Sequence, residues 1–147
     1  EAINFYDNNI EKAISGMSIA MTLEDDIDIS RGDMIVKINN MPEVKQDITA
    51  MLCWFNDLNA RPKAKYVLKH TTNEQKAIIS EVIYKVNIDT FQRIEDDKEL
   101  SMNDICKVKL RITAPLMTDD YHMNRDTGSF ILIDDATNET VAAGMIV

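Results

Sequence analysis

The sequence predicts an all-β fold, a closed barrel or sandwich of roughly half a dozen strands, on three observations. The dominant hydrophobic period is close to two rather than 3.6. Turn-forming clusters such as Asn59-Ala60-Arg61-Pro62, Thr71-Thr72-Asn73 and 134–138 bound each alternating run. Helical composition is confined to 8–13 and 90–100, and neither stretch combines caps with a long apolar stripe, so both read as loops or short irregular segments.

Taken in order, Ser18-Ile19-Ala20-Met21-Thr22-Leu23 alternates polar with apolar and then meets Glu24-Asp25-Asp26, which suits a solvated turn. A hairpin-like unit is expected here. It resumes after Ser30-Arg31-Gly32-Asp33, where Gly32 supplies the positive φ of a tight turn, with Met34-Ile35-Val36 as the following strand. Asn39-Asn40-Met41-Pro42 interrupts the pattern, because Pro42 donates no ladder hydrogen bond and biases Met41 toward extended backbone. That break divides the chain into 1–40 and 41–147. Beyond it, strands are expected at 47–55, 65–70, 75–86, 106–112, 129–134 and 140–147, and the longest, 75–86, is expected to bend.

A chain of 147 residues, 45% hydrophobic and 28% charged, can bury a real core. No apolar run approaches the ~20 residues that span a bilayer, and the first residues lack the basic start and apolar core of a signal peptide. No membrane partner is expected. Opening on Glu1 rather than Met suggests excision from a longer protein. Cys53 and Cys106 lie far apart within apolar alternation and read as buried thiols of a reducing cytoplasm. A net charge of −9 disfavours a nucleic-acid partner, since such binding draws its affinity from neutralising phosphates.

Motifs that carry chemistry are mostly absent. Gly16, Gly32, Gly128 and Gly144 are isolated, so no phosphate-binding loop and no Gly-rich strand-to-helix turn can be built from them. His70, His122, Cys53 and Cys106 show no close pair of zinc ligands, and Glu24-Asp25-Asp26-Ile27-Asp28 lacks the Gly and distal Glu of a calcium loop. No catalytic, cofactor or metal residue is assigned. His122, flanked by Tyr121 and Met123 and preceded by Asp119 and Asp120, is the better candidate for a functional histidine, against a loop histidine that only bonds its neighbours. Arg31-Gly32-Asp33 spells a cell-adhesion tripeptide, but the turn explains its glycine.

Two segments resemble a known family. Thr22-Leu23-Glu24-Asp25-Asp26-Ile27-Asp28-Ile29-Ser30-Arg31-Gly32-Asp33-Met34-Ile35 is similar to the closing strands of the second domain of the sulfate adenylyltransferase large subunit, the CysN family. Asn124-Arg125-Asp126-Thr127-Gly128-Ser129-Phe130-Ile131-Leu132-Ile133-Asp134, with Thr137 to Ile146, resembles the end of its third domain. Ala50-Met51-Leu52-Cys53-Trp54-Phe55 and Tyr66-Val67-Leu68-Lys69 fit that domain's first strands. The wider resemblance is to elongation factors of the EF-Tu type.

The resemblance implies an antiparallel six-stranded β-barrel of the elongation-factor domain III type over 41–147, preceded in 1–40 by the last strands of a domain II type barrel. It implies a cytoplasmic parent protein in which a smaller subunit, CysD, joins ATP and sulfate into adenosine 5′-phosphosulfate while the large subunit hydrolyses GTP, with GTP and magnesium held by an N-terminal domain outside this sequence. What is left to this region is structural and interfacial. The polar loop between two strands carrying Tyr121, His122, Asn124, Arg125 and Thr127 is the candidate interdomain or partner interface, although Arg125 could equally only brace the turn. Rival expectations are a barrel of another translation-factor-type GTPase, a stand-alone binding or scaffold barrel, and an RNA-binding barrel with a basic stripe of Lys63, Lys65, Lys69 and Lys76.

Overall fold

The computed structural model describes residues 2–61 and 63–147. Pro62, in the predicted turn at 59–62, lies outside the described residues. The chain divides into two compact units, Glu1–Ser30 and Arg31–Val147.

In the first unit, β1 (Ala2–Phe5), β2 (Asn8–Ile10) and β3 (Ala20–Thr22) form an antiparallel sheet in the order β2-β1-β3. Phe5 pairs with Asn8, which leaves Tyr6 and Asp7 as a two-residue turn, with Tyr6 at a φ of 52°. Thr22 Oγ1 accepts the Ala2 N–H at 3.0 Å and holds the sheet's far edge. This sheet corrects two expectations. Part of 8–13 is strand β2, because Ile3 and Ile10 come into register once the Tyr6 turn reverses the chain. β3 pairs with β1 and not with 34–36, which lies outside any strand and leaves Ile35 and Val36 exposed.

The second unit is a closed barrel. Its strands are β4 (Glu43–Trp54), β5 (Lys65–His70), β6 (Asn73–Val86), β7 (Arg93–Ile94), β8 (Ile105–Thr118), β9 (Ser129–Asp134) and β10 (Thr140–Ile146). The hydrogen-bonded order is β5-β9-β10-β4-β8-β6, and pairing of β5 with β6 closes the ring, with short β7 on β6. Every pairing is antiparallel. Closure removes the open edges that a flat sheet would expose.

Residues 31–40 belong with the barrel although Pro42 marks the break in pattern. Arg31 Nε donates to Thr72 O at 3.3 Å, and Gly32 takes a φ of 104° in its turn against the Asn73 side chain. The expected bend in the longest strand is present as register shifts between Ile79 and Glu81 and between Val82 and Tyr84. β4 and β8 both run beyond their expected ends because side-chain amides replace ladder bonds around Pro115. Gln46 Nε2 donates to Ile112 O and Thr113 O, each at 3.1 Å, while Gln75 Oε1 accepts from Thr113 Oγ1 and Ala114 N.

The core follows from the pleat. Ile48, Ala50, Leu52 and Trp54 of β4 face inward with Tyr66 and Leu68, with Cys106, Val108, Leu110 and Ile112, and with Phe130 and Leu132. Each buried Leu, Ile or Phe contributes about 1.5–3 kcal/mol. Trp54 meets Tyr66 edge-on at 5.7 Å and donates Nε1–H to Leu58 O at 2.9 Å. Gly144 lies opposite Phe130, whose ring occupies the space a side chain would need, with Cζ 2.2 Å from an added Cβ. Gly144→Ala is therefore expected to cost about 1–3 kcal/mol by overpacking, read as a lowered urea midpoint at constant slope.

Candidate functional site

The loop 119–128 joins β8 to β9, and short-range hydrogen bonds fix its shape. At its neck Asp119 N–H donates to Thr127 O at 3.2 Å and Thr127 Oγ1 donates to Asp119 Oδ2 at 2.6 Å. Within it, Asp120 Oδ1 accepts the His122 N–H at 2.7 Å and Asn124 Oδ1 accepts the Asp126 N–H at 3.2 Å. Two bonds sew it to β10, from Tyr121 N to Ile146 O and from Ile146 N to Gly128 O, at 3.0 and 2.8 Å.

Beneath the loop sits His70, fully buried at the end of β5, with Nε2 2.7 Å from Thr127 O. A carbonyl only accepts, so Nε2 carries a proton, and Nδ1 has no hydrogen-bond partner among the described residues. His122, by contrast, stands exposed. The histidine that organises the loop is thus the one sequence reasoning passed over. Its signal was the inward alternation of Tyr66, Leu68 and His70.

Four of the five candidate residues part into two groups, and the fifth, His122, lines neither. Tyr121 and Arg125 turn to the barrel's outer wall, where the Arg125 guanidinium lies 5.9 Å from the Tyr121 ring centroid. Asn124 and Thr127 turn to a different cavity, shared with Met34, Val36, Thr72 and Asp119.

On the wall, Tyr121 and Arg125 border a groove of about 740 Å3 whose floor includes Met51, Cys53, Ile131 and Met145. Strand register carries this outer face on past the groove to Val86, Lys107 and Tyr84. Ile131, Ala143, Cys53, Ile105 and Val86 stand side by side across five strands, and Met145, Met51, Lys107 and Tyr84 form the adjoining row. Elsewhere the outer wall is charged, with ion pairs Arg111–Asp47 and Lys109–Glu81, while Lys69, paired with Glu74, stands at the groove itself. A barrel wall facing water alternates apolar-in with polar-out, whereas strands apolar on both faces are covered on both. The signal was present in Ala50 to Trp54 and Ala142 to Ile146, which are apolar almost throughout.

The same pleat corrects the reading of Cys53 as a buried thiol. Leu52 and Trp54 point inward, so Cys53 between them is exposed in the groove floor. Cys106 is buried, and burial pushes its thiol up to about 12. Two lysines of the candidate RNA stripe are already paired, Lys69 with Glu74 and Lys76 with Asp135. Among the described residues, no group of three or more His, Cys, Asp or Glu is placed to hold a metal ion, and no helix is long and apolar enough to cross a membrane.

The closed six-strand antiparallel barrel is a fold that recurs among solved structures. Sup35 complexed with GDP superposes with a TM-score of 0.83 at 19% identity, covering 99% of this chain and 36% of that one. The chain belongs to the GTP-eEF1A C-terminal domain-like family, whose model matches residues 47–147. It is 42% identical over 141 residues to the bifunctional enzyme CysN/CysC of Rhodopirellula baltica, and 42% identical over 137 residues to sulfate adenylyltransferase subunit 1 of Sulfurovum sp.. These alignments cover 96% and 93% of this chain but only 22% and 28% of the relatives, so the chain spans about a quarter of their length.

Proposed function

We propose that the chain is the barrel region of a sulfate adenylyltransferase subunit 1, acting as the body against which a GTPase domain moves to drive formation of adenosine 5′-phosphosulfate in the cytoplasm. The observation that carries this reading is the 42% identity to that subunit over 93% of the chain. GTP and magnesium belong, on this reading, to the N-terminal part of a longer protein, since nothing in this chain's glycines wraps a phosphate. The three-stranded sheet of 2–30 is then the end of a domain II type barrel. The smaller, CysD-type subunit is the second partner.

The apolar groove bordered by Tyr121 and Arg125 is the seat for the remainder of that longer protein, whose relatives extend about three-quarters beyond the matched region. GTPases of this architecture convert nucleotide state into a changed packing between catalytic domain and barrel. Arg125 sits where such packing would be felt, on a loop held rigid by its neck and by β10. His122, Asn124 and Thr127 complete the loop, with Thr127 bonded beneath to His70.

Arg125→Glu in the complete protein, assayed with the smaller subunit, is expected to lower the sulfonucleotide formed per GTP hydrolysed by roughly tenfold, within the usual range for a residue that modulates coupling. A ratio equal to the wild type would sink the interface assignment. Failure of the wild-type pair to make sulfonucleotide at all would sink the functional reading itself.

A further inference from the structure

The hairpin tip at 87–92, between β6 and β7, has no part in the loop or the groove. It presents Phe91 outward at 82% exposure, and Ile88 of the same tip is 59% exposed. The backbone holds Phe91 at a φ of 57°, a left-handed conformation that a bulky side chain adopts only where its surroundings impose it.

Those surroundings are all within the tip. Phe91 N–H donates to Asn87 O at 2.8 Å, Asn87 N–H donates to Gln92 O at 2.9 Å, and Asn87 Oδ1 accepts from Asp89 N and Thr90 N, both at 3.0 Å. At the base, the Arg93 guanidinium stacks 4.6 Å from the Tyr84 ring centroid. The tip is therefore built before any partner arrives, and what it displays is an aromatic ring. Rigid aromatic anchors of this kind dominate binding energy, because their ordering cost is already met by the free protein.

The charge around the tip selects the partner. Asp89 is on it and Glu95 and Asp96 follow on the returning arm, all three exposed, against one exposed cation within 87–96, Arg93, whose guanidinium lies over the Tyr84 ring. An anionic lipid surface would be repelled. We infer that the 87–92 tip is a docking plug, Phe91 entering an apolar pocket edged by lysine or arginine side chains on a second protein subunit. This rests on the proposed two-subunit assembly, and the relatives' designation as subunit 1 is consistent with a second one.

The test uses the complete natural protein, the smaller sulfate adenylyltransferase subunit from the same organism, and Phe91→Gly. Glycine accepts the left-handed backbone, so the thermal midpoint is expected to stay level or rise. Affinity for the smaller subunit is expected to fall at least tenfold by calorimetry. Hydroxyl-radical footprinting is expected to find Phe91 reactive in the complete protein alone and protected once that subunit binds. Equal affinity of variant and wild type would overturn the inference, as would protection of Phe91 by the complete protein itself. If the wild type does not bind the smaller subunit, the two-subunit reading falls and the plug falls with it, whereas unchanged affinity of the variant removes the plug alone.

Discussion

Lys85→Ala is expected to lower stability by about 3 kcal/mol, the lower end of what breaking a buried ion pair costs. Lys85 is 7% exposed, and its ammonium donates to Asp97 Oδ2 at 2.6 Å and Glu99 O at 2.8 Å while pairing with Asp104 Oδ2 at 2.7 Å. One charge thereby ties three points of the 95–104 segment to β6, beside the bond from Lys98 Nζ to Ile83 O at 2.7 Å. That segment delivers Leu100 to the core and accepts the Ala60 N–H at Leu100 O, so losing the tie loosens packing as well as charge. Asp97 and Asp104 keep part of their access to water, which lets them resolvate and holds the cost toward the lower end.

The pH dependence of this contribution has a definite sign. Burial works against the Lys85 ammonium, but the hydrogen bonds to Asp104 and Asp97 outweigh it and raise its pKa above the ordinary 10.5. The stabilisation is fully present below the unfolded lysine value and is lost as pH rises through the higher folded value. Asp97 mirrors it at the acid end. Held below the usual carboxylate range by Lys85 and then by the Glu99 N–H, it stabilises above its unfolded value and stops doing so as pH falls through its folded value. Urea midpoints of wild type and Lys85→Ala should therefore differ most near neutrality and converge above pH 10.5. A difference that is constant from neutral to strongly alkaline pH would show that lost packing alone accounts for the variant.

The barrel strands were legible because burial on one face enforces period two. Tyr66, Leu68 and His70, or Phe130, Leu132 and Asp134, could not alternate so without a wall to face. The first sheet was less legible. Its residues are none of them buried, so no core fixes the register, and β3 chose β1 by backbone pairing that leaves no mark in the hydrophobic pattern.

The candidate loop was visible as chemistry and not as geometry. An aromatic, a histidine and an arginine between two strands drew attention to 121–127, but no spacing rule could say that Tyr121 and Arg125 turn one way and Asn124 and Thr127 another. The loop in which that division occurs is held by the neck bonds of Asp119 and Thr127 and by its bonds to β10, which join residues distant in sequence. Cys53 failed for a related reason. Apolar neighbours in sequence imply burial only when the second face of the strand is also covered within the same domain, and in this barrel that face is the open groove.

Gly128→Ala is expected to damage the barrel more than Gly144→Ala does. An added Cβ would fall 2.4 Å from Tyr121 Cα, 2.6 Å from Tyr121 N and 2.7 Å from Asn124 O, all of them backbone atoms. At Gly144 the obstacle is the tip of a Phe130 ring, which can tilt, whereas a backbone cannot yield without taking its hydrogen bonds with it. The loop must then lift from β10, breaking the bond from Tyr121 N to Ile146 O and straining the one from Ile146 N to Gly128 O. A cost of roughly 3 kcal/mol is expected, at the upper end of overpacking, with amide exchange at Tyr121 and Ile146 accelerated toward that of open segments. Arg125 would remain in the sequence but lose its place beside the Tyr121 ring, so Gly128→Ala should reproduce the coupling defect of Arg125→Glu without touching that charge. Unchanged exchange at Tyr121 would mean that the loop makes room at no cost, and the claim that a rigid loop positions Arg125 would fail on that result.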